Sequence, residues 1–151
     1  MLKFEYSSLI KAPLKTVWEF HEREDILDIL TPPWQPVKVV ERQGGLEIGA
    51  MTKFNLMFGF VTIPWCARHV EYEKYHLFTD QQTEGPLKLW IHRHQFQAEG
   101  DYTRLTDNIQ YDITGEPLIN YLMGWWVEER LKDMFAYRHR ITKENCESQP
   151  L

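Results

Sequence analysis

A chain of 151 residues and 18.2 kDa has the size of one domain, able to bury roughly 69% of its unfolded surface. With 22 acidic against 17 basic residues, a net charge of −5 and no Lys/Arg cluster, it lacks the footprint a phosphate backbone requires, which excludes nucleic acid as the main partner. Six tryptophans, seven tyrosines and eight phenylalanines, 14% of the chain, are hard to pack in so small a core and point to rings lining a cavity or an apolar surface.

Leu2, Phe4, Tyr6, Ser8 and Ile10 share one parity, with Lys3, Glu5, Ser7 and Lys11 on the other, the period-2 pattern of a strand with one buried face. This start lacks the apolar core of a signal peptide, and no stretch of about 18 apolar residues follows, so a soluble cytoplasmic protein is expected. Ala12-Pro13 ends the strand and opens a helix carrying Val17, Trp18 and Phe20. A second helical turn, Asp25 to Leu30, stops at Thr31-Pro32-Pro33-Trp34-Gln35-Pro36.

Six more strands are predicted from hairpin-spaced turn signals: Val37–Arg42, Met51–Phe58, Val61–Tyr72, Leu77–Thr83, Leu89–Gln97 and Tyr102–Ile113. Pro117 to about Thr142 reads as one long helix, since it has no internal proline and only Gly124 as a weak point. Residues 1–143 are expected to form the single domain and 144–151 a polar tail. Cys66 and Cys146 have no CxxC spacing and are expected as reduced thiols.

One strand, two short helices, six strands and a long helix make an α+β chain in which only the last helix can cover a seven-stranded curved antiparallel sheet. Together with Tyr6-Ser7-Ser8-Leu9-Ile10-Lys11-Ala12-Pro13, Val17-Trp18 and the stretch Phe78 to Pro86 followed by Trp90, His92, His94 and Phe96, this order resembles the helix-grip fold of the START-like, birch-pollen-allergen-like and polyketide cyclase/dehydrase superfamily (SRPBCC). The resemblance spans Leu2 to about Thr142. It implies a cavity between sheet and helix that holds a hydrophobic ligand, without implying a reaction.

A two-residue Gly100-Asp101 turn that takes Gly first opposes residues whose numbers sum to about 201. Phe96 then meets Leu105, His94 meets Asp107, His92 meets Ile109 and Trp90 meets Tyr111, while the other face is polar throughout. A His94/Asp107 pair would favour the imidazolium. It would serve as general acid/base with Tyr111 or His92 placing a substrate carbonyl, or simply satisfy two polar groups at a cavity mouth. His92 and His94 share a strand face and His69 lies on the apolar side of its own strand, but no thiolate is near, so no metal or other cofactor is expected. No G-x-S-x-G elbow or nucleotide-binding glycine loop is present. Asp80 faces either Ile91 or His92, depending on one residue in the Gly85-Pro86 turn.

Between Glu116 and Glu128 the last helix carries no charge, and its apolar residues cover nearly every direction. That half is either enclosed or presented to a ligand, a partner or a membrane surface, as are Trp34 and the turn Met57-Phe58-Gly59-Phe60-Val61. The expected reading is a monomer or homodimer binding a small hydrophobic ligand. Trp90, His92, His94, Phe96, Asp107 and Tyr111 face the ligand from the sheet, and Leu122, Trp125 and Trp126 from the helix. A cyclase or dehydratase using His94 and Asp107 and a lipid- or quinone-handling module at a membrane are the competing readings.

Overall fold

The computed structural model describes residues 1–147. The chain runs β1 (Leu2–Ile10), α1 (Leu14–His21), α2 (Ile26–Leu30), β2 (Val37–Gln43), β3 (Met51–Phe58), β4 (Val61–Glu73), β5 (Leu77–Glu84), β6 (Leu89–Glu99), β7 (Tyr102–Asp112) and α3 (Pro117–Glu147). All seven strands join one antiparallel sheet in the order β1-β7-β6-β5-β4-β3-β2. This is the helix-grip arrangement expected from the sequence.

The β6–β7 register agrees with the turn argument: Phe96 opposes Leu105, His94 opposes Asp107, His92 opposes Ile109 and Trp90 opposes Tyr111. Gly100 at the turn has φ 61°, the left-handed conformation that glycine adopts without a Cβ penalty. Between β5 and β6 the structure selects the longer loop, so that Asp80 opposes His92. The Gln82 amide braces this loop, donating to the Leu87 carbonyl (2.7 Å) and accepting from the Leu87 N–H (3.2 Å).

Two apolar clusters hold the layers together. One gathers Val17, Trp18 and Phe20 of α1 with Phe78, Phe96 and Leu105 of the sheet and Cys146 of α3. The other packs Leu131 and Phe135 of α3 on Phe4, Ile109 and Tyr111. The α3 helix continues to Glu147, past the expected end near Thr142. The cause is its buried stripe Leu131, Phe135, His139, Thr142 and Cys146, which keeps helical spacing to the last turn. Residues 148–151 of the expected tail lie outside the described residues.

The α3 helix rests on β1, α1 and α2, and on the β3–β4 side of the concave face, the groove side, the inward-facing Phe54, Leu56, Ile63 and Trp65 are only half-buried. Its charge-free first half is not enclosed: Leu122, Trp125 and Trp126 are 57%, 65% and 47% exposed. Only Gly124 of this half is buried. A Cβ there would come within 3.3 Å of Leu2, so glycine lets the helix approach β1 closely. No helix among the described residues is long and apolar enough to cross a membrane.

Candidate functional site

Alternation along β5, β6 and β7 places Asp80, His92, His94 and Asp107 on the concave face, and α3 brings His139 down onto them. Asp107 is the hub. Its Oδ1 accepts from His92 Nε2 at 2.6 Å and lies 3.3 Å from His94 Nδ1, and its Oδ2 accepts from His139 Nε2 at 2.6 Å. With Nε2 donating to the carboxylate, Nδ1 faces the Ser8 hydroxyl at 2.5 Å. A polar chain thus runs from β1 through α3 to the sheet centre. The order Ser8–His139–Asp107 has the partners of a hydrolase triad, but here it bolts helix to sheet.

On the groove side His94 Nε2 donates to Asp80 Oδ2 at 2.7 Å, and His92 Nδ1 stands 3.8 Å from the same oxygen. The two imidazoles stack with centroids 3.6 Å apart, and the Phe78 ring lies 4.0 Å from His94 on its other side. Exposure grades outward: the side chains of His92 and His139 are 3% exposed, those of His94 and Asp80 13% and 18%.

The protonation states follow from burial set against these contacts. Burial pushes the Asp107 carboxyl up, but N–H groups of His139, His92 and His94 outweigh it and hold the carboxyl well below its usual range. Asp80 is likewise raised by burial, then brought down to about 2 by the His94 hydrogen bond and the charges of His92 and His94. Burial and the neighbouring His94 charge lower His92 despite Asp107. For His94, burial is overcome by its bonds to Asp107 and Asp80, so its pKa rises. Of the two stacked rings, His94 therefore holds its proton the more strongly.

Arg138 precedes His139 on α3, with its guanidinium 5.3 Å from the Phe135 ring and its buried Nε without a hydrogen-bond partner. Burial lowers its pKa, while Asp107 and Asp80 pull the other way.

Of the residues expected at the site, Trp90, His92, His94 and Asp107 come together, with Trp90 half-buried between Trp65 (5.4 Å) and Tyr111 (6.2 Å). Phe96 is 2% exposed and packs on Trp18 at 4.9 Å, in the core rather than the groove. Tyr111 is buried beneath α3 in the second cluster, where burial and then Glu128 raise its pKa. Leu122, Trp125 and Trp126 face solvent. His69 faces inward, but its Nδ1 donates to the Leu46 carbonyl at 2.8 Å and its ring stacks on Phe78. Sequence reasoning did not single out His139, Ser8 or Arg138 for the site. For His139 the signal was available, since it continues the Leu131–Phe135 stripe by one turn. Ser8 has the parity of the buried face of β1.

Two clefts on the rim of α3, one at Asp112, Asn120 and Tyr121 and one at Trp34, Tyr137 and Arg140, are separate from this network. On the groove side, the same concave face carries the half-buried Phe54, Leu56, Ile63, Trp65 and Trp90. Phe54 stacks on Trp65 at 5.8 Å.

The sequence pattern of the family described as polyketide cyclase / dehydrase and lipid transport matches residues 10–139. The chain belongs to this family. No curated protein sequence matches it significantly. Among solved structures, a Thermus thermophilus protein, TTHA0849, is similar at a TM-score of 0.74 and 17% identity, covering 97% of this chain and 98% of that one. A nucleoside-diphosphate sugar epimerase from Corynebacterium glutamicum matches 93% of this chain at 29% identity and a TM-score of 0.72, over only 28% of its own length. Ara h 8.0201 matches at 14% identity and a TM-score of 0.69, covering 98% of this chain and 99% of that one. The first and third likenesses establish the helix-grip fold and no activity.

Proposed function

We propose that the protein binds a small or medium-sized hydrophobic molecule along the groove between the sheet and α3, its polar end held by the His/Asp network. The observation that carries this reading is the gradient along the concave face. The apolar rings of Phe54, Trp65 and Trp90 lead to the partly exposed His94 and Asp80, with the unpartnered Arg138 Nε as a further buried donor on α3. Apolar walls with a few convergent polar groups are how small-molecule sites gain both affinity and orientation.

Titration with an environment-sensitive apolar dye should be saturable, and Trp65→Ser or Trp90→Ser should weaken it by roughly 10-fold, about 1.4 kcal/mol. Native mass spectrometry of protein from its own host should show a co-purifying small molecule. Dye binding indifferent to both substitutions would sink the reading.

A second reading, general acid/base chemistry of the cyclase or dehydratase kind on a polyketide-like carbonyl compound, is supported by the contact of His94 with two carboxylates, Asp80 at 2.7 Å and Asp107 at 3.3 Å. It requires a turnover that collapses in His94→Gln while dye binding survives. The exposed Trp125 and Trp126 support a third, lipid or quinone handling at a membrane surface, which vesicle co-sedimentation tests.

A further inference from the structure

We propose that Asp80, His92 and His94 form a site for one divalent transition-metal ion of the zinc class, with its remaining coordination positions open to the groove. One ligand atom from each residue falls within 4.8 Å of the others. Asp80 Oδ2 lies 2.7 Å from His94 Nε2 and 3.8 Å from His92 Nδ1. These distances bracket the separation of about 3.3 Å between ligand atoms set tetrahedrally at roughly 2.0–2.1 Å from an ion.

The orientation of His92 is the second support. Its Nε2 is engaged by Asp107 Oδ1 at 2.6 Å, and an ionised carboxylate only accepts hydrogen bonds. Nε2 therefore bears a hydrogen, and Nδ1 is the ring atom turned toward the Asp80 carboxylate, 3.8 Å away and beyond hydrogen-bond range. A cation placed between these two atoms makes both into ligands. His94 gives up its bond to Asp80 together with the Nε2 proton that makes it, which is released to solvent as the ion binds, and keeps Nδ1 toward the same Asp107 oxygen at 3.3 Å. Asp107 then orients both rings from behind, the carboxylate–histidine–metal arrangement that fixes tautomer and direction in metal sites.

Donor chemistry sets the class of ion. Two imidazole nitrogens and one carboxylate oxygen suit zinc or ferrous iron over calcium or magnesium, which prefer all-oxygen shells. Three protein ligands with an open side are the pattern of sites that take up a water or a substrate atom. The open side is where His94 and Asp80 are partly exposed. The sequence expectation of no metal counted His69 as the third donor; the structure ties His69 to the Leu46 carbonyl and puts Asp80 in that place. The ion site stands independently of what fills the rest of the groove, and its readout is the ion alone.

Zn²⁺ titrated into the full chain by calorimetry in a non-chelating buffer should bind one per molecule with a Kd of about 1 μM or tighter. Co²⁺ should give the visible absorption of a low-coordinate nitrogen/oxygen site. Asp80→Asn and His94→Gln should each weaken binding by roughly 100-fold, and Asp107→Asn by about 10–100-fold through ring orientation. Exposed His76→Gln should leave it unchanged. Because a variant can also lose binding by unfolding, circular dichroism accompanies each. In the parent chain, NMR should show Zn²⁺ perturbing the His92 and His94 rings and sparing those of His21 and His69. Affinity no tighter than about 1 mM, binding unchanged in both Asp80→Asn and His94→Gln, or ring shifts centred on His76 would overturn the proposal.

Discussion

His21 shows at the scale of one side chain how burial sets chemistry. It is 5% exposed, sits 5.0 Å from the Phe96 ring and donates from Nδ1 to the Val17 carbonyl at 2.8 Å. Burial pulls its pKa from 6.5 down to about 4. The Val17 bond and the Asp107 charge oppose this, and His94 and His139 reinforce it. The folded pKa lies below the unfolded one, so the unfolded chain takes up a proton that the native chain refuses. The contribution is fully present above pH 6.5 and is lost as pH falls toward about 4, amounting to roughly 3 kcal/mol at the lower limit. Urea unfolding of the parent and of His21→Gln at about pH 7, 5.5 and 4.5 isolates it, because the difference cancels the other histidines. The variant should lose less stability on acidification, and parallel slopes would contradict this account.

The element that decides the site is α3, since among the described residues it is His139 that carries the polar network across to the second layer. Removing His139 leaves Asp107 Oδ2 buried without its 2.6 Å donor, so His139→Leu should cost about 3 kcal/mol. Ser8→Ala deletes a single neutral partner and should cost roughly 1 kcal/mol. Equal losses in urea unfolding would mean that the network does not clamp the helix. This clamp was only half legible in the sequence. The β6–β7 pairing followed from turn type and parity, both local rules, so His94 opposite Asp107 could be read directly. Asp80 could not be placed, because its register depends on the Gln82 side chain bridging the loop to Leu87, and no periodicity encodes such a bond. Asp107 was matched to His94 by opposition across the strands. The shorter bonds go diagonally to His92 and upward to His139, which rotamers and helix docking decide. The end of α3 was misplaced because Cys146 extends the buried stripe through a polar-looking segment.

For the whole molecule, the surplus of aromatic rings divides into three populations. Trp18 is 0% exposed and meets Tyr72, Tyr75, Phe78 and Phe96. Trp65 and Trp90 are half-buried on the concave face, while Trp34, Trp125 and Trp126 are 59%, 65% and 47% exposed. Hydrophobic patterning alone leaves Trp125 and Trp126 indistinguishable from core, because a helix that is apolar all round satisfies either role. The consequences differ sharply. Trp18→Leu opens a cavity among four rings and should cost about 3 kcal/mol or more. Trp125→Gln with Trp126→Gln breaks no buried contact and should shift stability by less than about 1 kcal/mol. The same double variant should lose much of the acrylamide-quenchable, red-shifted tryptophan emission. A loss of several kcal/mol in the double variant would place the first half of α3 in a buried interface, within the chain or between copies. Unchanged quenching would contradict the exposure of these two rings in the fold.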